Sequence, residues 1–182
     1  MQLRIGATTL STSILAILLL CTSGVSQPAG DTRRADEQEV FAAVIRTQME
    51  DWYKSGDKNE AEAKTKTDRE VSKRLNFPIF FVSINGTDPS DEFINRFRNI
   101  PRSIRKLSSA KPEKGPHTPA DLTTGIQGII FDAGKIRWLS KDAAEVEGGY
   151  YCGGLCAANN TFQVRRENGD WVVKGSRMNW IS

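Results

Sequence analysis

The sequence predicts an α+β domain, with N-terminal helices packed on a curved antiparallel sheet, and three observations carry that prediction. Val40, Phe41, Val44, Ile45, Met49 and Trp52 recur at three- to four-residue intervals, the period of one helix face. The segment Phe77–Ile84 is short, apolar and rich in β-branched and aromatic side chains, as a buried strand is. The last third breaks into short β-prone runs separated by turn residues, the pattern of a C-terminal β-meander. A chain of 182 residues with 38% hydrophobic and 26% charged residues suits one domain and excludes wholesale disorder. Gly 15 and Pro 7 exclude collagen-like and low-complexity architectures, and a formal charge of +3 demands no polyanionic partner.

Residues 1–26 read as a secretory signal peptide. Arg4 is their only charge, an apolar run spans Ile14 to Cys21, and small residues follow at Ser23, Gly24 and Ser26. The run is less than half of the roughly 20 apolar residues that cross a bilayer. Cys21 invites lipid anchoring, but Leu20 before it is not the small residue a bacterial lipobox needs. Cleavage after Ser26 removes one positive charge and leaves Cys152 and Cys156 as the only cysteines. The expected location is periplasmic or extracellular. Residues 27–35, with Pro28, Gly30 and little to bury, read as a flexible tether before a single domain at 36–182.

The first helix is expected to start near Asp36, capped by the Asp36/Glu39 spacing, and to end at Ser55-Gly56. From Lys54 to Arg74, 12 of 21 residues are charged, a solvated face or mobile loop, with Asp68–Leu75 as a second helix held by Val71 and Leu75. Asn85-Gly86 turns the chain after the buried strand. Asp88 then reads as an N-cap, with Pro89 at the first helical position and Phe93, Ile94 and Phe97 facing inward. Ile104–Leu107 suits a short strand inside an otherwise irregular, proline-rich segment 99–125. Five further runs follow: Ile129–Phe131, Ile136–Leu139, Ala144–Cys152, Thr161–Arg166 and Trp171–Lys174, the last two joined by the hairpin signal Asn168-Gly169.

The residues that bear chemistry are few. Cys152 and Cys156 flank two glycines able to take positive φ, so a structural disulfide is expected, with a redox pair or metal ligands as alternatives. His117 is the only histidine and sits in a proline-flanked loop, without an evident partner for general-base work. Nucleophile-elbow, P-loop, zincin and calcium-loop motifs are absent, so no catalytic residue, metal or cofactor is predicted. Glu145 and Glu147 alternate on one strand and share a face. With Asp132 they are the candidate polar groups of a pocket, for which His117 is a further candidate and Trp138 a wall, the bland reading being the wet side of a sheet. Arg96, Arg98, Arg102, Arg105, Lys106, Lys111 and Lys114 face only Glu113 within 96–114, which suits an anionic surface or a solubilising loop. Poor aromatic interleaving there argues against specific nucleic-acid binding.

Tyr150-Tyr151-Cys152-Gly153-Gly154-Leu155-Cys156, Gly169-Asp170-Trp171-Val172-Val173 and the terminal Trp180-Ile181-Ser182 resemble the C-terminal region of a group of uncharacterised exported bacterial proteins. Asp88-Pro89-Ser90-Asp91-Glu92-Phe93 is similar to the same group. The helix-then-sheet order with a closing Gly-x-Trp-x-Val strand also resembles NTF2-like and cystatin-like domains. The expected function is a non-enzymatic exported binding or interaction module, whose partner is a protein or small ligand of the cell envelope. The alternatives are a small-molecule enzyme or carrier using an NTF2-like pocket, and an inhibitor of a secreted hydrolase. A deep pocket lined by carboxylates and Trp138 favours the enzyme or carrier; a flat sheet with a protruding Cys152–Cys156 loop favours the others.

Overall fold

A computed structural model describes residues 29–111 and 117–182; the signal segment and Lys114 lie outside them. Helix α1 runs over Ala29–Glu62 and α2 over Lys66–Leu75. Strand β1 is Ile79–Ile84, α3 is Asp91–Asn95 and β2 is Ser103–Lys106. Four longer strands follow: β3 Gly128–Ser140, β4 Ala143–Gly153, β5 Cys156–Glu167 and β6 Asp170–Ile181. They form one six-stranded sheet in the order β2-β1-β3-β4-β5-β6.

Helix α1 departs from expectation at both ends. The part of the supposed tether that is described is helical from Ala29, because tertiary contacts order it. The Arg33 guanidinium lies 4.6 Å over the Trp138 ring, and Asp36 accepts hydrogen bonds from Arg166 and from Trp171 Nε1. The helix also passes through Ser55-Gly56, since one interior glycine costs only about 1 kcal/mol relative to alanine. A polar clamp holds the continuation: Arg102 Nη2 donates to Asp57 Oδ1 at 2.9 Å and to Asn76 Oδ1 at 2.7 Å. Helix α2 begins two residues before the expected Asp68, because Thr65 and Asp68 form a capping box. Helix α3 is capped by Ser90, whose hydroxyl accepts from the Phe93 N–H at 3.2 Å. Asp88, the expected cap, instead accepts from the backbone and hydroxyl of Ser108.

The sheet is mixed rather than antiparallel. Strand β1 pairs in parallel with both β2 and β3, and only β3 to β6 form the antiparallel meander. Parallel neighbours need long crossovers, and residues 85–102, carrying α3, and 107–127 supply them. This central position explains why β1 is buried on both faces. Ile129–Phe131 and Ile136–Leu139 belong to one strand, β3, with a register shift between Ala133 and Ile136. Asn168 (φ 53°) and Gly169 (φ 96°) turn the β5–β6 hairpin as expected.

Helix α1 lies across the sheet. Val40, Val44, Ile45 and Met49 are fully buried against Phe80, Phe131, Val146 and Phe162. Trp52 closes one end, edge-on to Tyr150 at 4.8 Å and stacked with Phe77 at 6.3 Å.

Candidate functional site

Strand alternation and register decide which side chains can act together. On the α1 side the centre is filled by the apolar residues above, with Gln48 among them and the Asp36–Arg166 ion pair beside Trp171. Gln48 is buried, its Nε2 donating to the Asp132 carbonyl at 3.1 Å and its Oε1 lacking a partner among the described residues. Trp138 belongs to this side, edge-on to Trp171 at 5.5 Å. Asp132, Glu145 and Glu147 do not. The pairs Asp132↔Gly149, Arg137↔Glu145 and Glu147↔Thr161 alternate with the core pairs Phe131↔Tyr150 and Val146↔Phe162, placing all three carboxylates on the opposite face. Glu145 and Glu147 therefore share a face, as expected, but line no pocket beneath the helix. The expected grouping with Trp138 is not formed.

The outward face of β3–β6 is open and polar. Glu145 pairs with Arg137, while Glu147 is exposed. Thr161 Oγ1 donates to Asn179 Oδ1 at 3.1 Å, and Asn179 Nδ2 donates to Asn159 Oδ1 at 2.7 Å. Asp132 Oδ1 accepts from Ser83 and from the Gly86 N–H. At one end of this face Ile130, Asp132, Gly149, Tyr151, Asn159 and Trp180 line a recess of about 160 Å³. Trp180 is 54% exposed beside it. In the sequence Trp180 stands only within the terminal motif Trp180-Ile181-Ser182, because its exposure follows from a register that no local pattern encodes.

The basic segment is largely neutralised within the molecule. Arg96 pairs with Glu39 at 2.7 Å, Arg102 with Asp57, Arg105 with Asp121, and Lys106 with Asp91 at 2.7 Å. Arg98 and Lys111 are exposed without an ion pair among the described residues. His117 is exposed, and its carbonyl accepts the Tyr151 hydroxyl at 3.2 Å. The described residues contain no group of three or more His, Cys, Asp or Glu able to hold a metal. None of the described helices is long and apolar enough to cross a membrane.

Cys152 and Cys156 lie at disulfide distance, with Cα atoms 5.2 Å apart, across the β4–β5 turn. Gly153 takes φ 106° there, and a Cβ on it would fall 2.6 Å from the Thr118 nitrogen. So small a ring constrains the unfolded chain by only about 2 kcal/mol. The double variant Cys152→Ser/Cys156→Ser is expected to fold with an unchanged far-ultraviolet circular-dichroism spectrum and a lower melting temperature. Failure to fold would show that the pair is more than a local staple.

A residue that sequence reasoning missed is Asp121, which is 1% exposed within the 107–127 crossover. It pairs with Arg105 and accepts from the Thr123 and Thr124 N–H groups and the Thr124 hydroxyl. It thereby anchors the crossover on the outward face of β1, where Phe81 is fully buried. The Thr124 hydroxyl foremost, then its N–H and Arg105, hold the Asp121 carboxyl below the usual aspartate range, against the opposing effect of burial. The folded-state pKa is depressed, so the associated stability is full above the ordinary aspartate value near pH ~4 and is lost as pH falls through the depressed one. Urea midpoints should thus decline only below about pH 4, and Asp121→Asn should flatten that decline. Asp88, lowered mainly by the Ser108 hydroxyl, keeps part of the slope. An acid limb identical in Asp121→Asn and the parent would contradict this role.

No protein-family model matches the chain, and neither the curated proteins nor the solved structures contain a match.

Proposed function

We propose that this chain is an exported, non-enzymatic binding module that engages its ligand through the outward face of β3–β6. One observation carries the reading: the helix side of the sheet is filled by fully buried side chains, whereas the outward face leaves Trp180 54% exposed beside a polar recess. Isolated exposed apolar residues are ordinary on a protein surface, but a large aromatic next to fixed amide and carboxylate groups suits recognition. The cysteine pair fits an oxidising compartment, which supports export. A long helix laid across a meander is the arrangement of NTF2-like and cystatin-like domains. Here fully buried side chains fill the centre of the interface, and the space on the helix side is an open recess of about 540 Å³ at its edge, between Thr32, Arg33 and Asp36 of α1 and Trp138 of β3.

The test is retention of residues 27–182 on an isolated cell-envelope fraction. The parent should sediment with the fraction and Trp180→Ala should remain largely in solution. Equal retention of both, or none of either, would overturn the proposal.

One observation favours the inhibitor reading as a second choice. Leu155 is 90% exposed at the tip of the cysteine-closed turn, a pre-organised apolar residue of the kind that fills a protease pocket. Inhibition of a secreted protease that Leu155→Glu abolishes and Trp180→Ala leaves intact would replace the first reading with this one.

A further inference from the structure

We infer that the outward face binds a neutral saccharide chain, with one pyranose ring stacked on Trp180 and its hydroxyls held by Asn159 and Asp132. The inference rests on the binding-module reading and names the ligand class for the same face. A pyranose ring has an apolar C–H face and a rim of paired donors and acceptors, so its complement is an exposed aromatic plane flanked by rigid amide and carboxylate groups.

The residues match this requirement in type and placement. Trp180 lies directly across from Asn159 in the β5–β6 register, Asn159 across from Gly149, and Gly149 across from Asp132, so the four residues line the recess in one row across the sheet. The Thr161–Asn179–Asn159 chain of hydrogen bonds fixes the Asn159 amide and uses its oxygen, so the two Nδ2 donors remain without a partner among the described residues. Asp132 is held in the same way: Ser83 and the Gly86 N–H bind Oδ1, and Oδ2 has no hydrogen-bond donor among the described residues. Groups already fixed in place lose little freedom on binding.

Charge selects within the class. At the paired positions of this face three carboxylates, Asp132, Glu145 and Glu147, balance three guanidinium groups, Arg137, Arg165 and Arg177, with Glu145 directly across from Arg137, so these positions carry no net sign to attract a polyanion. An open face of this kind, reached along β4 to β6, suits an extended β-linked chain better than a single buried sugar.

The test titrates residues 27–182 with chitotetraose and, separately, cellotetraose, following tryptophan fluorescence and backbone amide shifts. The two probes separate an amino-sugar polymer from a plain glucan. At least one is expected to shift amides of β4, β5 and β6 around Gly149, Asn159 and Trp180. Trp180→Ala should weaken that binding by about tenfold or more, as loss of a central aromatic contact does. Leu155→Ser, at the tip of the β4–β5 turn and outside the recess lining, should bind as the parent does. No response to either probe at about 10 mM, beyond the millimolar range of weak sites, would overturn the saccharide assignment. So would binding that survives Trp180→Ala, or shifts confined to the Leu155 turn. Trp180-dependent retention on the envelope without any response to the oligosaccharides would remove the saccharide alone and leave the binding face standing.

Discussion

Phe131→Ala is expected to lower the unfolding free energy by about 3–5 kcal/mol. Phe131 is 1% exposed on β3, edge-on to Phe80 with ring centroids 5.1 Å apart and to Trp52 at 6.3 Å. Truncation removes a buried ring and leaves a void between α1 and the sheet, so transfer and cavity costs add. Against a typical domain stability of about 5–15 kcal/mol, that is a large share. The size of the loss reports on function as well. Equilibrium urea unfolding that gave a loss below about 1 kcal/mol would mean a loosely packed, wet interface, the kind an internal ligand site has. A loss in the expected range means a solid core there.

Gly149→Val should yield no stably folded protein. A Cβ on Gly149 would lie 2.2 Å from the Ala158 carbonyl oxygen and 3.1 Å from the Asn159 Cα, both backbone atoms of β5. No rotamer relieves such a contact, so β4 and β5 would have to separate along their ladder. The cost should exceed about 4 kcal/mol, the range reached only by a few mechanisms of this severity. Gly134→Ala is the control, because the nearest atom to its Cβ would be the Asn85 Oδ1 at 3.5 Å, an ordinary contact. Dispersed amide spectra for the alanine variant and collapsed or absent spectra for the valine variant are the expected pair. A folded Gly149→Val would show that the β4–β5 crossing is more open than described.

What was legible in the sequence was local. The stripe from Val40 to Trp52, the apolar run of β1, the Asn168-Gly169 turn and the Cys152/Cys156 closure each depend on residues near one another, and each lies where the pattern put it. What escaped depends on distant partners. Ser55-Gly56 looks like a helix end until Arg102 and Asn76 are seen to hold Asp57. Parallel pairing of β1 cannot be read from β1 itself, because a strand buried on both faces has the same composition in either orientation. Asp121 was invisible because its partners are a strand arginine and its own turn, within a segment of no period. The candidate site was legible in part: Asp132, Glu145 and Glu147 were named and Glu145 and Glu147 correctly assigned one face, but the face itself was set by register. Arg96, Arg102, Arg105 and Lys106 show the converse. Their clustering is plain in the sequence, and only the fold reveals the carboxylate beside each.

The central claim is that the ligand covers the outward face of β3–β6 and leaves the helix side untouched. Hydroxyl-radical footprinting of residues 27–182, free and bound to the envelope fraction, tests it most directly. Trp180 and Tyr151 should lose reactivity on binding, while Trp138 on the helix side and Leu155 at the hairpin tip react as in the free protein. Protection of Trp138, or of Leu155 without Trp180, would contradict the account.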